Sequence, residues 1–103
     1  MTTSRIDDML AAARGRLRRL DARYVPAALV VERNVLEWRC DPTSDARLPQ
    51  AVDDDVEWVV LCSQGYTSSL AAAALQDLGL RRATDVVGGY QALAATGALA
   101  ELT

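Results

Sequence analysis

The segment from Val56 to Leu80, "VEWVVLCSQGYTSSLAAAALQDLGL", constrains the fold more than any other part of the chain. Its apolar run "VEWVVL" lacks polar alternation and reads as a buried strand of the kind parallel sheets use. The chain then passes through "CSQGYTSS" directly into an Ala/Leu-rich helix, "SSLAAAALQDLGL", with Gly79 as its C-cap. "RATDVV" follows as another strand, "GG" at 88–89 turns the chain, and "YQALAATG" is a last short helix closed by Gly97. Upstream, Ile6, Met9, Leu10, Ala13, Leu17 and Leu20 fall at helical spacing, predicting a helix over Ser4 to Leu20. Ser4 with Asp7 is a variant capping box. Pro26 fixes an extended entry to "AALVVE", a short Val-rich buried strand, and "NVLEWRC" reads as a short helix capped by Asn34 and ended near Asp41-Pro42. Residues 43–55, "TSDARLPQAVDDD", are loop. Strands alternating with helices imply an α/β fold with a parallel sheet. The 103 residues fit one small domain.

Composition narrows the function classes. Half of the residues are hydrophobic and 24% are charged, which places the chain among soluble globular domains. The net charge of -3, with no basic block longer than "RGRLRR", argues against nucleic acid as a partner. The N-terminus has no signal architecture and no apolar run approaches ~18 residues, so no membrane association and a cytoplasmic location are expected. All eleven basic residues are Arg, and Ala is frequent, a coding bias that points to a bacterial source. The absence of His removes a Ser-His-Asp triad and a Cys-His pair. Two cysteines without His do not make a usual structural zinc site, so neither metal nor cofactor is expected.

Cysteine chemistry here must therefore activate its thiol by other means. Successive backbone amides in a turn form an anion nest, and a helix N-terminus adds the positive end of its dipole; both lower a thiol pKa. "CSQGYTSSL" supplies both features: Gly65 lets the loop curl, and Thr67 or Ser68 can cap the helix. The same nest would hold a persulfide anion. The alternative is a buried structural cysteine. The basic face of the first helix, Arg14, Arg16, Arg18 and Arg19, reads as solvated. Arg33, just past the end of the first strand, is the candidate cation for the Cys62 crevice; its plainer reading is a surface arginine paired with Glu32 or Glu37. Cys40 invites a resolving-thiol role, although disulfides are uncommon in the cytosol. Trp38 and Trp58 read as core or crevice wall, and Asp53 to Asp55 as a solvated loop.

The run "VVLCSQGYTSSLAAAALQDLGLRRATDVVGGYQALAATG" resembles the C-terminal half of a rhodanese domain. Its marks are a strand ending in Cys, a loop with Gly fourth, a hydroxyl-bearing helix start, a Leu-Gly helix end, then strand and Gly-Gly. "YVPAALVVERNVLEW" is similar to the family's segment with an Ile-Pro-Gly-Ala core, so that the resemblance spans residues 24–97. It implies a three-layer α/β/α sandwich and sulfur transfer through a persulfide on Cys62. Ser63, Gln64, Gly65, Tyr66, Thr67, Ser68 and Arg33 would contact a small sulfane-sulfur donor or a sulfur-donating protein.

Three departures from the family pattern qualify this expectation. Rhodanese domains carry further elements upstream, including a central strand ending in Asp-x-Arg; here Asp21-Ala22-Arg23 abuts "YVPAAL" directly. The sheet should therefore be reduced in strand number, and an open edge favours a homodimer or strand exchange. The active loop is neutral, as in mercaptopyruvate-type sulfurtransferases, and ends without the Arg that the related phosphatases and arsenate reductases need, which excludes phosphate ester hydrolysis. Leu93 stands where a Trp is usual. A non-catalytic binding or dimerisation module on the same scaffold is the alternative reading.

Overall fold

The computed structural model describes residues 4–20 and 29–95. Helix α1 spans Arg5–Gly15, a 3-10 turn spans Arg33–Val35, and α2 spans Leu36–Cys40. Strand β1 (Val59–Val60), α3 (Thr67–Asp77), β2 (Thr84–Asp85) and α4 (Gly89–Ala95) complete the order. The two strands pair in parallel, Val59 with Thr84 and Val60 with Asp85. Leu20 adds a one-residue lane on the far side of β2, parallel to Val86. Its N–H donates to the Asp85 carbonyl at 2.8 Å, and its own carbonyl accepts from Val87 N–H at 3.0 Å.

Alternation along β1 sorts the core onto two faces. Trp58 and Val60 pack with Leu36, Cys40, Leu75, Leu80 and Ala83 on the face covered by α3 and α2. Val59 and Leu61 pack with Val86, Ala92 and Leu93 on the face covered by α4. This is a three-layer α/β/α arrangement with a parallel sheet, reduced in strand number. Helix α1 lies against α3, contributing Leu10 and Ala13. The Ala-rich sequence of α3 suits a helix enclosed by the sheet, α1 and α2: Ser68, Ser69, Ala71, Ala72, Ala73 and Leu75 are all buried. Its C-terminus is a Schellman motif. Gly79 at φ 103 donates to the Gln76 carbonyl and Leu80 to that of Leu75, while Leu75 and Leu80 meet in the core.

Several elements differ from the sequence reading. Helix α1 ends at Gly15, not Leu20, because the chain tightens through Arg16 and Leu17, whose amides reach back to Ala13 and Arg14, and then straightens toward the sheet. Ser4 caps it as expected, accepting from Asp7 N–H at 3.1 Å, but Ile6 and Met9 are exposed. Leu29 to Glu32 form no strand, and Leu29 and Val30 are exposed. A strand exists only where a ladder partner exists, and among the described residues the ladder bonds of β1 and β2 go to each other and to Leu20; Ala27 and Ala28, the start of the expected strand, lie outside those residues. The Glu32 carboxylate, not Asn34, caps the short helix that follows, accepting from Asn34 N–H at 3.0 Å. Asp21-Ala22-Arg23, Pro26 and Gly97 lie outside the described residues.

Candidate active site

Cys62 follows β1 by two residues and stands, half-buried, beneath the start of α3. Neither Thr67 nor Ser68 caps that helix; Tyr66 is the N-cap residue and its side chain makes no capping bond. The acceptor that an N-cap normally provides is the cysteine sulfur: Ser68 N–H, in the first turn of α3, donates to Cys62 Sγ at 3.3 Å. Burial alone would raise the thiol pKa. Ser68 at the helix start, with the amides of Gly65 and Tyr66, outweighs it, so the Cys62 pKa lies below the ordinary thiol value.

Three glycines let the loop take this shape. Gly65 has φ 81, and a Cβ there would lie 2.9 Å from Gly88 N. At Gly89, φ 59, a Cβ would come within 2.1 Å of the Cys62 carbonyl oxygen. The Gly-Gly turn therefore rests directly on the cysteine loop, backbone to backbone. The start of α4 then bonds to the loop: Tyr90 N–H donates to the Cys62 carbonyl at 2.6 Å and Gln91 N–H to that of Ser63 at 2.9 Å.

Beneath the loop lies a buried polar cluster absent from the sequence reading. Asp85 of β2 is fully buried. Its Oδ2 accepts from Ser68 Oγ at 2.8 Å and Ser69 Oγ at 2.6 Å, and Arg19 grips the carboxylate through Nε at 2.7 Å and Nη2 at 3.2 Å. A buried carboxylate of this kind is tolerated because it is both ion-paired and fully hydrogen-bonded. Two guanidiniums also converge on the Gly65 carbonyl, Arg14 Nη2 at 2.8 Å and Arg19 Nη2 at 3.2 Å. Arg14 Nε donates to Ser69 Oγ at 3.2 Å, and its guanidinium lies over the Tyr66 ring, 5.3 Å from the centroid.

Of the residues expected to form the site, Cys62 to Ser68 share this one loop. Ser63, Gln64, Tyr66 and Thr67 are exposed around it, Gly65 is buried in the turn, and Ser68 faces inward to Asp85. Arg33 makes its hydrogen bond elsewhere: it donates to Glu37 at 2.8 Å in an exposed i,i+4 pair, its plainer reading. The cations at the loop come instead from Arg14 and Arg19, which the sequence reading assigned to a solvated face. Asp85 carried a usable signal, a carboxylate inside the apolar run "RATDVV". Cys40 is free, buried among Leu75, Leu80 and Ala83, and its thiol is pushed up to about 11 by burial and by Glu37. That environment disfavours the thiolate that a resolving role would need. No group of three or more His, Cys, Asp or Glu among the described residues could hold a metal. None of their helices is long and apolar enough to cross a membrane.

Fold and site together define a small α/β protein with a strand-end cysteine held at a helix N-terminus. No protein-family model matches the sequence, and no curated protein does. Among solved structures, a protein of unknown function from Rhodopseudomonas palustris CGA009, described as a possible tyrosine phosphatase, shares the fold. The two are 23% identical, with a TM-score of 0.77 over 94% of each chain.

Proposed function

We propose that the protein is a rhodanese-like sulfurtransferase with Cys62 as its nucleophile. The Cys62 thiolate attacks the sulfane sulfur of a donor. A new S–S bond forms on Cys62, the donor's bond to that sulfur breaks, and its remainder leaves with the electron pair. An acceptor thiolate then attacks the outer sulfur of the Cys62 persulfide and releases the Cys62 thiolate. The observation that carries this reading is the Cys62 sulfur receiving an amide of the first turn of α3, with its pKa lowered. A persulfide is likewise an anion and suits the same donors. The exposed rim of Ser63, Gln64, Tyr66 and Thr67 is uncharged, which favours mercaptopyruvate or a protein persulfide over the thiosulfate dianion as donor.

The similar Rhodopseudomonas protein, described as a possible tyrosine phosphatase, raises phosphate ester hydrolysis as a second reading. Residues 63–68 contain no Arg, and the guanidiniums of Arg14 and Arg19 bond to the Gly65 carbonyl, so a phosphate dianion would meet no cation from the loop itself. Mass spectrometry after incubation with thiosulfate, mercaptopyruvate or a sulfur-loaded cysteine desulfurase should show a gain of one sulfur atom, lost in Cys62→Ser. Absence of the adduct with every donor sinks the sulfurtransferase reading and leaves the non-catalytic module. Turnover of p-nitrophenyl phosphate that depends on Cys62 would replace it with the phosphatase reading.

A further inference from the structure

The loop's lack of an internal cation raises the question of what, besides amides, favours a negative sulfur. A peptide unit is planar and trans, so its C=O and N–H point to opposite sides. The peptide joining Gly65 to Tyr66 has its carbonyl on the arginine side, where Arg14 and Arg19 both donate to it. Its N–H belongs to Tyr66 and so points to the opposite side; it is among the amides that lower the Cys62 pKa, while the hydrogen bond to the sulfur itself comes from Ser68 N–H at 3.3 Å. The Ser69 hydroxyl is also within 3.3 Å of this carbonyl, but it has one proton and lies closer to Asp85 Oδ2, at 2.6 Å. The carbonyl's two lone pairs are thus taken by two charged donors. Charge-assisted bonds are roughly twice as strong as neutral ones, and a bond at one end of a peptide polarises the group at the other.

The two arginines are not equivalent. Arg19 is neutralised by Asp85, whereas Arg14 makes no ion pair with a carboxylate among the described residues and donates only to Gly65 O and Ser69 Oγ. Among the described residues, the ionisable groups bordering the loop are these two arginines, Asp85 from β2, Tyr66 in the loop and Tyr90 at the start of α4.

We propose that Arg14 is a positioning residue for Cys62: from α1 it holds the Gly65 carbonyl outward, which aims and polarises the Tyr66 N–H toward the sulfur. The cation that the loop lacks is delivered through a peptide bond, from behind, without entering the mouth of the site. The N-terminal helix is on this account part of the site's electrostatics as well as a packing element. The inference rests on Cys62 acting as a thiolate nucleophile, as proposed above.

The test is the pH profile of Cys62 alkylation by iodoacetamide in the full chain. Cys40 is buried and serves as an internal control for unfolding. Arg14→Met keeps an apolar stem against Tyr66 and removes the charge. It should move the midpoint of the profile upward by roughly half to one pH unit, and slow alkylation at pH 7 by about three- to tenfold. Arg14→Gln, a neutral donor, should fall between Met and wild type, and Arg14→Lys, a charged one, should recover most of the wild-type midpoint. Urea unfolding identifies which variants are folded; should Arg14→Met not fold, a lower midpoint for Lys than for Gln supports the proposal. Equal midpoints across the folded variants overturn it. Alkylation needs no sulfur donor, so this result is independent of whether a persulfide forms.

Discussion

The two ends of the sheet differ in how completely they satisfy their polar groups. At the carboxyl end, the Cys62 sulfur, the Cys62 and Ser63 carbonyls, the Gly65 carbonyl, both buried serines and Asp85 all have partners. At the amino end, the buried Trp58 Nε1 and Thr84 Oγ1 have no hydrogen-bond partner among the described residues. An open cavity of about 660 Å³ lies there, lined by Thr84, Arg18, Glu57 and Gln76 and bordering the one-residue lane of Leu20. The ladder is two residues long on each strand, so it holds the loop end in register and stops short of enclosing the other. Among the described residues, satisfied buried polar groups are concentrated where the cysteine is, which is what a site that must stabilise an anion requires.

The largest expected effect comes from breaking the ordered end at its centre. Asp85→Ala removes the acceptor for Ser68, Ser69 and Arg19 together and leaves the Arg19 guanidinium, 16% exposed, without its counter-charge. Breaking a buried pair from one side costs ~3–5 kcal/mol. In a small domain that is a large part of the total stability. Urea denaturation should show this loss. A cost below ~1 kcal/mol would mean that the cluster rearranges freely and that the contrast between the two ends is false.

The ordered end was also the legible one. A strand-end cysteine, a glycine three residues on and a run of hydroxyls before an Ala-rich helix are local signals, and the chain folds them locally. The Gly-Gly turn was legible too, though not its function as a backbone platform under Cys62 and Gly65. The failures were non-local. "AALVVE" has strand composition, but a strand is a pairing property, and residues 29–32 have no ladder partner among the described residues. Arg14 looked solvated because the apolar stripe was drawn through Ile6 and Met9, which are exposed, and Arg19 because the helix was read through to Leu20. Once α1 stops at Gly15, Arg19 sits on an extended segment that delivers it to Asp85, a partner 66 residues away.

A smaller effect, of opposite sign, should appear at the other end. Thr84→Val conserves shape and removes the buried hydroxyl that has no partner. Leaving such a group unsatisfied costs ~1–3 kcal/mol, so its removal should stabilise the fold by about 1 kcal/mol, seen as a higher urea midpoint. The Cys62 alkylation profile should not move, because the Asp85 carboxylate is held by Arg19, Ser68 and Ser69 and not by the Thr84 hydroxyl. A loss of stability would show that the hydroxyl is satisfied in solution and that the amino end is better ordered than the contrast implies.

The smallest effect is expected at Arg33, the residue that sequence reasoning offered as a candidate cation for the cysteine. Its guanidinium is 45% exposed and its ion pair with Glu37 is an i,i+4 pair on one helical turn. Pairs of this type contribute ~0.3–0.5 kcal/mol and are screened by salt. Arg33→Ala should therefore lower stability by no more than about 0.5 kcal/mol, and the difference should vanish in high salt. It should leave the midpoint of Cys62 alkylation in place while Arg14→Met moves it. The two substitutions each remove one positive charge from a chain whose net charge is only -3, so a non-specific effect of total charge would shift both profiles alike. A shift confined to Arg14 ties the lowered thiol to the hydrogen bond on the Gly65 carbonyl, and a shift shared by both would return the question to long-range charge.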